Sequence, residues 1–162
     1  MKRVQFRAAR PEDAEILLEI KRAAIGEIDS DQYTAVQIEA WRPTRAAESD
    51  FKRAIQSEQF EILLAESARQ PVAYGVLNTE CNRIDALFVH PKFANEGVGS
   101  SLVRQFESRA RMEGIKALEI VASLNAKSFY ESLGYLDCGR KTRTIRDFEL
   151  EFAIMRKEFD LP

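Results

Sequence analysis

Apolar positions along this chain change their period several times. Val4, Phe6 and Ala8 alternate with polar neighbours and predict a short strand. Ile16, Leu17, Ile20, Ala23 and Ala24 then recur at helical spacing behind Pro11-Glu12-Asp13. A proline and two acids suit a first helical turn, where free N–H groups carry partial positive charge. Thr34-Ala35-Val36-Gln37 matches a capping box and predicts a second helix running towards Trp41, stopped by Pro43. Phe51 and Ile55 predict a third over about 46–56. From Phe60 the pattern shortens. Strands are expected at 60–66, 72–77 and 84–89, separated by turns near 68–70 and 79–82, and the last ends at His90-Pro91. Leu102, Val103, Phe106 and Ala110 share one face of a long helix over about 97–113, with Gly114 just past its end. A strand at 117–122, a helix at 126–133 and strands at about 135–140 and 148–157 complete the chain. The order is that of a mixed α/β domain in which a mainly antiparallel run enters a parallel crossover.

Composition narrows the reading. The 162 residues suit one domain over 1–162, with a core that needs neither disulfides nor a metal. No repeat or Gly/Pro/Ser-rich linker interrupts them. Lys and Arg number 24 against 26 Asp and Glu, a formal charge of -2, which argues against a nucleic-acid partner. With Cys81 and Cys138 far apart and His90 the single histidine, most zinc sites are excluded, and no metal is expected. No apolar run approaches the roughly 20 residues of a membrane helix, and the start at Met1-Lys2-Arg3 lacks the apolar core of a signal peptide. A cytoplasmic protein with reduced thiols, away from membranes, is expected.

The segment richest in chemistry is Leu87-Phe88-Val89-His90-Pro91, followed by Lys92-Phe93-Ala94-Asn95-Glu96-Gly97-Val98-Gly99-Ser100. A strand runs into a turn, two glycines lie two apart, and a helix begins. Without Cβ atoms, glycines let backbone N–H groups approach a phosphate, and the helix N-terminus favours negative charge. The Gly-Lys-Ser/Thr ending of a nucleotide-triphosphate loop and the third glycine of a dinucleotide fingerprint are both absent. One strand later comes Ser123-Leu124-Asn125-Ala126, then Phe129-Tyr130 and Gly134-Tyr135. Together with Arg7-x-Ala9-x-Pro11-Glu12-Asp13-Ala14 and a closing Met155-Arg156-Lys157, this order resembles the GNAT (GCN5-related) superfamily of acetyl-CoA-dependent N-acetyltransferases over nearly the whole chain.

The resemblance implies an α/β (α+β) fold: a GNAT-like mixed sheet, mainly antiparallel with one parallel strand–helix–strand crossover, and helices on both faces. It implies acetyl-CoA as cosubstrate and a small-molecule or peptide amine as acceptor, in a monomer or homodimer. The cofactor would meet Leu87, Phe88 and Val89 through their backbone, the turn Asn95, Glu96, Gly97, Val98, Gly99 and Ser100, and Ser123 and Asn125. The family's Gln or Arg at the head of the turn falls on Ala94, and its Asn falls on Ser123. Asn125 then either takes over that polar contact or caps the following helix. Tyr130 is the implied acid for the departing thiolate, a role a phenol of pKa near 10 suits. Asp85 is the first candidate base, on the argument that alternation puts it on the face of Leu87 and Val89; the bulge that the family often has in this strand would break that alternation. Glu119 on the neighbouring strand is the second. Tyr33 and Trp41 fall in the segment that roofs the acceptor pocket in this family, with plain packing as the equal alternative. Arg140, Lys141, Arg143 and Arg146 read best as a solvated hairpin, with contact to an acidic acceptor or to the cofactor's 3′-phosphate as the minority alternative. The rival to an enzyme is a non-catalytic acyl-CoA-binding or protein-interaction module on the same fold.

Overall fold

In the computed structural model, which describes residues 3–29 and 31–160, the chain opens with β1 (Val4–Ala8), α1 (Ala14–Gly26), α2 (Ala35–Trp41) and α3 (Glu48–Gln56). Then come β2 (Phe60–Ser67), β3 (Gln70–Asn78), β4 (Arg83–Val89), α4 (Val98–Met112), β5 (Ala117–Ser123), α5 (Lys127–Ser132), β6 (Leu136–Ile145) and β7 (Phe148–Glu158). The strands form one sheet in the order β1-β2-β3-β4-β5-β7-β6. Every neighbouring pair is antiparallel except β4 and β5, which are parallel and joined through α4. Among the described residues no helix is long and apolar enough to cross a membrane.

Alternation along the strands supplies two apolar faces. Ile62, Leu64 and Tyr74 pack with Leu17 and Ile20 of α1 and with Phe51 and Ile55 of α3. Ala65 and Ala73 pack with Val98 and Leu102 of α4, which continues along Ile84, Leu118, Ile120 and Met155 through Val103 and Phe106. The expected capping box of α2 is formed: the Thr34 hydroxyl accepts from the Gln37 N–H at 3.1 Å, and the Gln37 side chain accepts from the Thr34 N–H at 2.9 Å. Gln37 also donates to the Glu149 carbonyl at 2.9 Å, tying α2 to β7.

Two boundaries differ from the sequence pattern. Pro11–Asp13 forms a single 3-10 turn and α1 begins at Ala14. The Asp13 carboxylate accepts from the Arg10 N–H at 2.7 Å, and Arg7 grips both its oxygens at 2.7 and 2.9 Å. The second difference is the last hairpin. The strand expected to stop at 140 continues to Ile145, and Arg146-Asp147, at φ +48° and +68°, make a two-residue turn into β7. The basic run is therefore mostly strand, with Lys141, Arg143 and Ile145 half-buried while Thr142 and Thr144 are exposed. The expected hairpin is formed, and its period of two rather than its charge decides which of its side chains face solvent.

The sheet is irregular where β4 meets β5. Val76 of β3 pairs with Ala86 and Leu77 with Ile84, so Asp85 is an extra residue, a β-bulge. On its other side, β4 pairs with β5 only at Arg83↔Glu119 and Ile84↔Ile120 among the described residues. Beyond that point residues 86–89 and 121–123 share no ladder, and a wedge opens in the sheet.

Candidate active site

The turn after β4 exposes backbone donors at the mouth of this wedge. Pro91–Phe93 forms one 3-10 turn, and Asn95 and Gly97 take left-handed conformations at φ +62° and +83°. Gly97 is the N-cap of the 15-residue α4. The N–H groups of Val98, Gly99 and Ser100 lie in its first turn, before any i−4 carbonyl is available. Left-handed residues followed by a helix N-terminus make a concave, positively polarised surface suited to an anion. Beside it runs a groove of about 440 Å³, walled by Leu87, Val89, Gly99, Phe129 and Tyr130. A Cβ built on Gly99 would come within 3.3 Å of the Phe129 ring and 3.6 Å of Val89, so a side chain there would occupy the groove. Ala94 lines the same groove. Glu96 does not; it lines a separate cavity with Val4, Phe6 and Ser101, which leaves its carboxylate away from the groove.

Tyr130 sits on α5 at the inner end of the groove, 4% exposed. Phe129 meets its ring at 5.0 Å and Tyr135 at 6.3 Å, both near-perpendicular, so packing fixes its orientation. Every fully buried side-chain polar atom among the described residues has a hydrogen-bond partner, and the Tyr130 hydroxyl makes none with protein. Its oxygen is therefore not fully enclosed. Burial pushes the phenol above its ordinary pKa, which keeps it protonated and able to donate.

Tyr130, Leu87 and Ala126 also line a second, smaller cavity of about 80 Å³ on the other side of the wedge. Its wall includes Trp41, Ser123 and Asp85. Trp41 stands edge-on to Phe152 at 5.4 Å and to Phe88 at 6.1 Å, so its indole is both core and cavity wall. Phe88 lines this cavity and Val89 the groove, while Leu87 borders both, so successive residues at the end of β4 serve the two cavities.

Four expected residues stand differently. The bulge moves Asp85 off the face of Val89, so the alternation argument for it fails. It reaches the small cavity instead, paired with Arg83 and 3.4 Å from the Asn78 amide. Tyr33 lines neither cavity. It is buried against Trp41 at 5.8 Å, donates to the Glu151 carbonyl at 2.6 Å and accepts from the Leu124 N–H at 3.0 Å, which fastens the segment before α2 to β7. Asn125 is exposed and lines neither cavity. Nor does it cap a helix: Ser123 is the N-cap of the turn Leu124–Ala126 and Ala126 that of α5. Glu119, the second candidate base, pairs across to Arg83 in the β4–β5 ladder and lines neither cavity.

One charged cavity residue, Lys21, escaped the sequence reading, and a second, Arg143, was read there only as part of the basic run. Lys21 stands on the buried stripe of α1, in series with Ala14, Leu17, Leu18 and Ile25, and a lone lysine at helical spacing among apolar residues was the available signal. Arg143 enters from β6 beside Ile145, a position marked by alternation inside the basic run.

Comparison with known proteins agrees with this fold. Residues 29–159 match the family model of the acetyltransferase (GNAT) domain. The chain belongs to the GNAT acetyltransferase family. It is 30% identical over 135 residues, 83% of each chain, to the uncharacterised N-acetyltransferase YafP of Escherichia coli. A GCN5-related N-acetyltransferase from Rhodopseudomonas palustris superposes with a TM-score of 0.87 at 31% identity, covering 98% of both chains. The PaiA N-acetyltransferase of Thermoplasma acidophilum, solved in complex with coenzyme A, shares the fold at a TM-score of 0.74 and 19% identity, over 97% of this chain and 99% of that one. The GNAT sheet, with its parallel β4–β5 pair and helices on both faces, is the architecture found here. Its turn in this chain keeps Gly97 and Gly99 while carrying Ala94 at the head.

Proposed function

We propose that the chain moves an acetyl group from acetyl-CoA to a primary amine by direct attack, with Tyr130 as general acid. The observation that carries this reading is the position of Tyr130: a buried phenol at the junction of a long groove and a small cavity. The groove fits an extended pantetheine arm, having apolar walls and free helix-terminal amides at its outer end. The coenzyme A bound to the structurally similar PaiA protein supports acetyl-CoA as the ligand. Ala94 removes one side-chain contact to the pyrophosphate and leaves the backbone donors of residues 95–100 to hold it.

In this mechanism the amine enters through the small cavity and its nitrogen attacks the thioester carbonyl carbon. Backbone N–H groups of β4 that face the wedge polarise the carbonyl oxygen as it gains charge. The carbon–sulfur bond breaks, and Tyr130 gives its proton to the sulfur. The amine's proton goes to Asp85, directly or through water, at the oxygen whose contact with Asn78 is long, while the other oxygen stays paired with Arg83.

Tyr130→Phe tests the reading. It keeps the ring packing and should lower kcat by roughly 10²–10⁴-fold while leaving acetyl-CoA affinity near the parent's. The measurement is thiol release with one good acceptor, beside calorimetric cofactor binding. Parental kcat in the variant removes Tyr130 from the chemistry. Cofactor binding without thiol release across a broad amine panel supports the non-catalytic module instead.

A further inference from the structure

The small cavity has an unbalanced charge. Lys21 and Arg143 both line it, and among the described residues neither forms an ion pair. Their contacts are with ring faces: the Lys21 ammonium lies 5.8 Å from the Phe88 centroid and 6.0 Å from that of Phe51, and the Arg143 guanidinium 5.2 Å from that of Phe152. The one carboxylate in the wall, Asp85, is paired with Arg83 and touches Asn78, and it offsets only part of the charge of the nearby Arg143. Burial, with the nearby Arg143 adding to it, depresses the Lys21 ammonium below its ordinary pKa, and burial likewise lowers that of Arg143. Half-buried cations ordinarily keep a counter-ion, because desolvation without one is costly. Here two of them converge from α1 and β6 on a space large enough for a small polar group and lined also by Tyr130.

We infer that the acceptor supplies the missing anion: the cavity selects small amines that carry a carboxylate, an amino acid rather than a simple alkylamine or a peptide. Lys21 and Arg143 hold the carboxylate, with the guanidinium offering its planar pair of donors. That anchor directs the amino group towards Asp85 and Tyr130, at the opening to the groove. This inference rests on the acyl-transfer reading, and it names the acceptor class for the same site.

The test compares the twenty amino acids with their C-terminal amides as acceptors, using the full chain and acetyl-CoA. At least one amino acid should exceed its own amide in kcat/KM by roughly 10- to 100-fold, the size of one charge-assisted interaction. Lys21→Gln and Arg143→Gln should each narrow that ratio, chiefly through KM, and the double variant should bring it near unity. If the ring contacts alone account for the two cations, these variants shift stability and leave the ratio untouched, which overturns the inference. Equal use of acids and amides, or a preference for peptides with blocked C-termini, overturns it as well while leaving acyl transfer intact. A second readout needs no turnover: calorimetry of N-acetyl amino acids and their amides against the protein with coenzyme A. Tighter binding of the acids, lost in the double variant, supports the anion site even where no transfer is detected. Equal or absent binding of both overturns it.

Discussion

The Tyr33 hydroxyl uses its donor on the Glu151 carbonyl and its acceptor on the Leu124 N–H, leaving nothing for an acceptor molecule. Tyr33→Phe should therefore destabilise the fold by about 1–3 kcal/mol, since two backbone groups lose their partner, while acceptor KM stays near the parent's. Chemical denaturation alongside kinetics measures both; a KM defect without lost stability would return Tyr33 to the pocket. Sequence identified an aromatic pair at Tyr33 and Trp41 but gave no means of separating them. Which one faces a cavity depends on Phe88, Phe152 and the end of β5, all distant in the chain. Tyr130 was different. Its neighbours Phe129 and Gly134-Tyr135 mark the position in a motif, and the fold adds the burial that raises its pKa.

At the level of elements, the turn before α1 is held by charge rather than by the helix itself. Arg7 of β1 pairs with Asp13 and with Glu66 of β2, locking the first strand to the first helix. The Arg7 hydrogen bonds are the main reason the Asp13 carboxyl titrates below its ordinary value. A depressed folded pKa contributes stability that is present above the unfolded value, about 3.9, and is lost as pH falls through the folded one. Asp13→Asn should lower stability at neutral pH by about 1–3 kcal/mol, and the gap should close below about pH 4 as the parent's carboxyl protonates. Urea unfolding from pH 7 down to pH 2 is the measurement, and a gap independent of pH would show that the carboxylate's charge is not what matters. A second tie runs between α4 and β7. Glu107 accepts from the Tyr135 hydroxyl at 2.8 Å and from Lys157 at 3.1 Å, anchoring the helix that follows the glycine turn.

For the whole molecule, the proposed function makes the groove beside the β4–β5 wedge the place where acetyl-CoA would bind. A ligand binding only the folded state stabilises it by RT ln(1 + [L]/Kd), about 2.7 kcal/mol at a hundredfold excess. For a chain of this size that corresponds to a rise of about 5–10 °C in Tm with saturating acetyl-CoA. Gly99→Val should abolish the rise while its own Tm stays close to the parent's, because Gly99 is helical and the new side chain points into the groove. Gly97→Val is a poorer probe, since φ +83° strains a β-branched residue whether or not a ligand binds. An undiminished rise in Gly99→Val would show that acetyl-CoA lies elsewhere.

What the sequence determined by itself is local or carried by ordered motifs. The capping box at Thr34 and Gln37, the apolar face of α4, the glycine turn and the Tyr130 block all involve residues within a few positions of one another, where period and turn chemistry suffice. The tertiary structure alone decided which side chains meet. One extra residue at Asp85, visible only in the pairing of β4 with β3, reverses the face on which the candidate base lies. Lys21 and Arg143 come together because α1 packs over β3 and β4 on the face of the sheet that Arg143 of β6 also lines, although the two lie near opposite ends of the chain. Strand register and helix packing are set by the sum of many weak apolar contacts over the whole core, so no short window of sequence contains them.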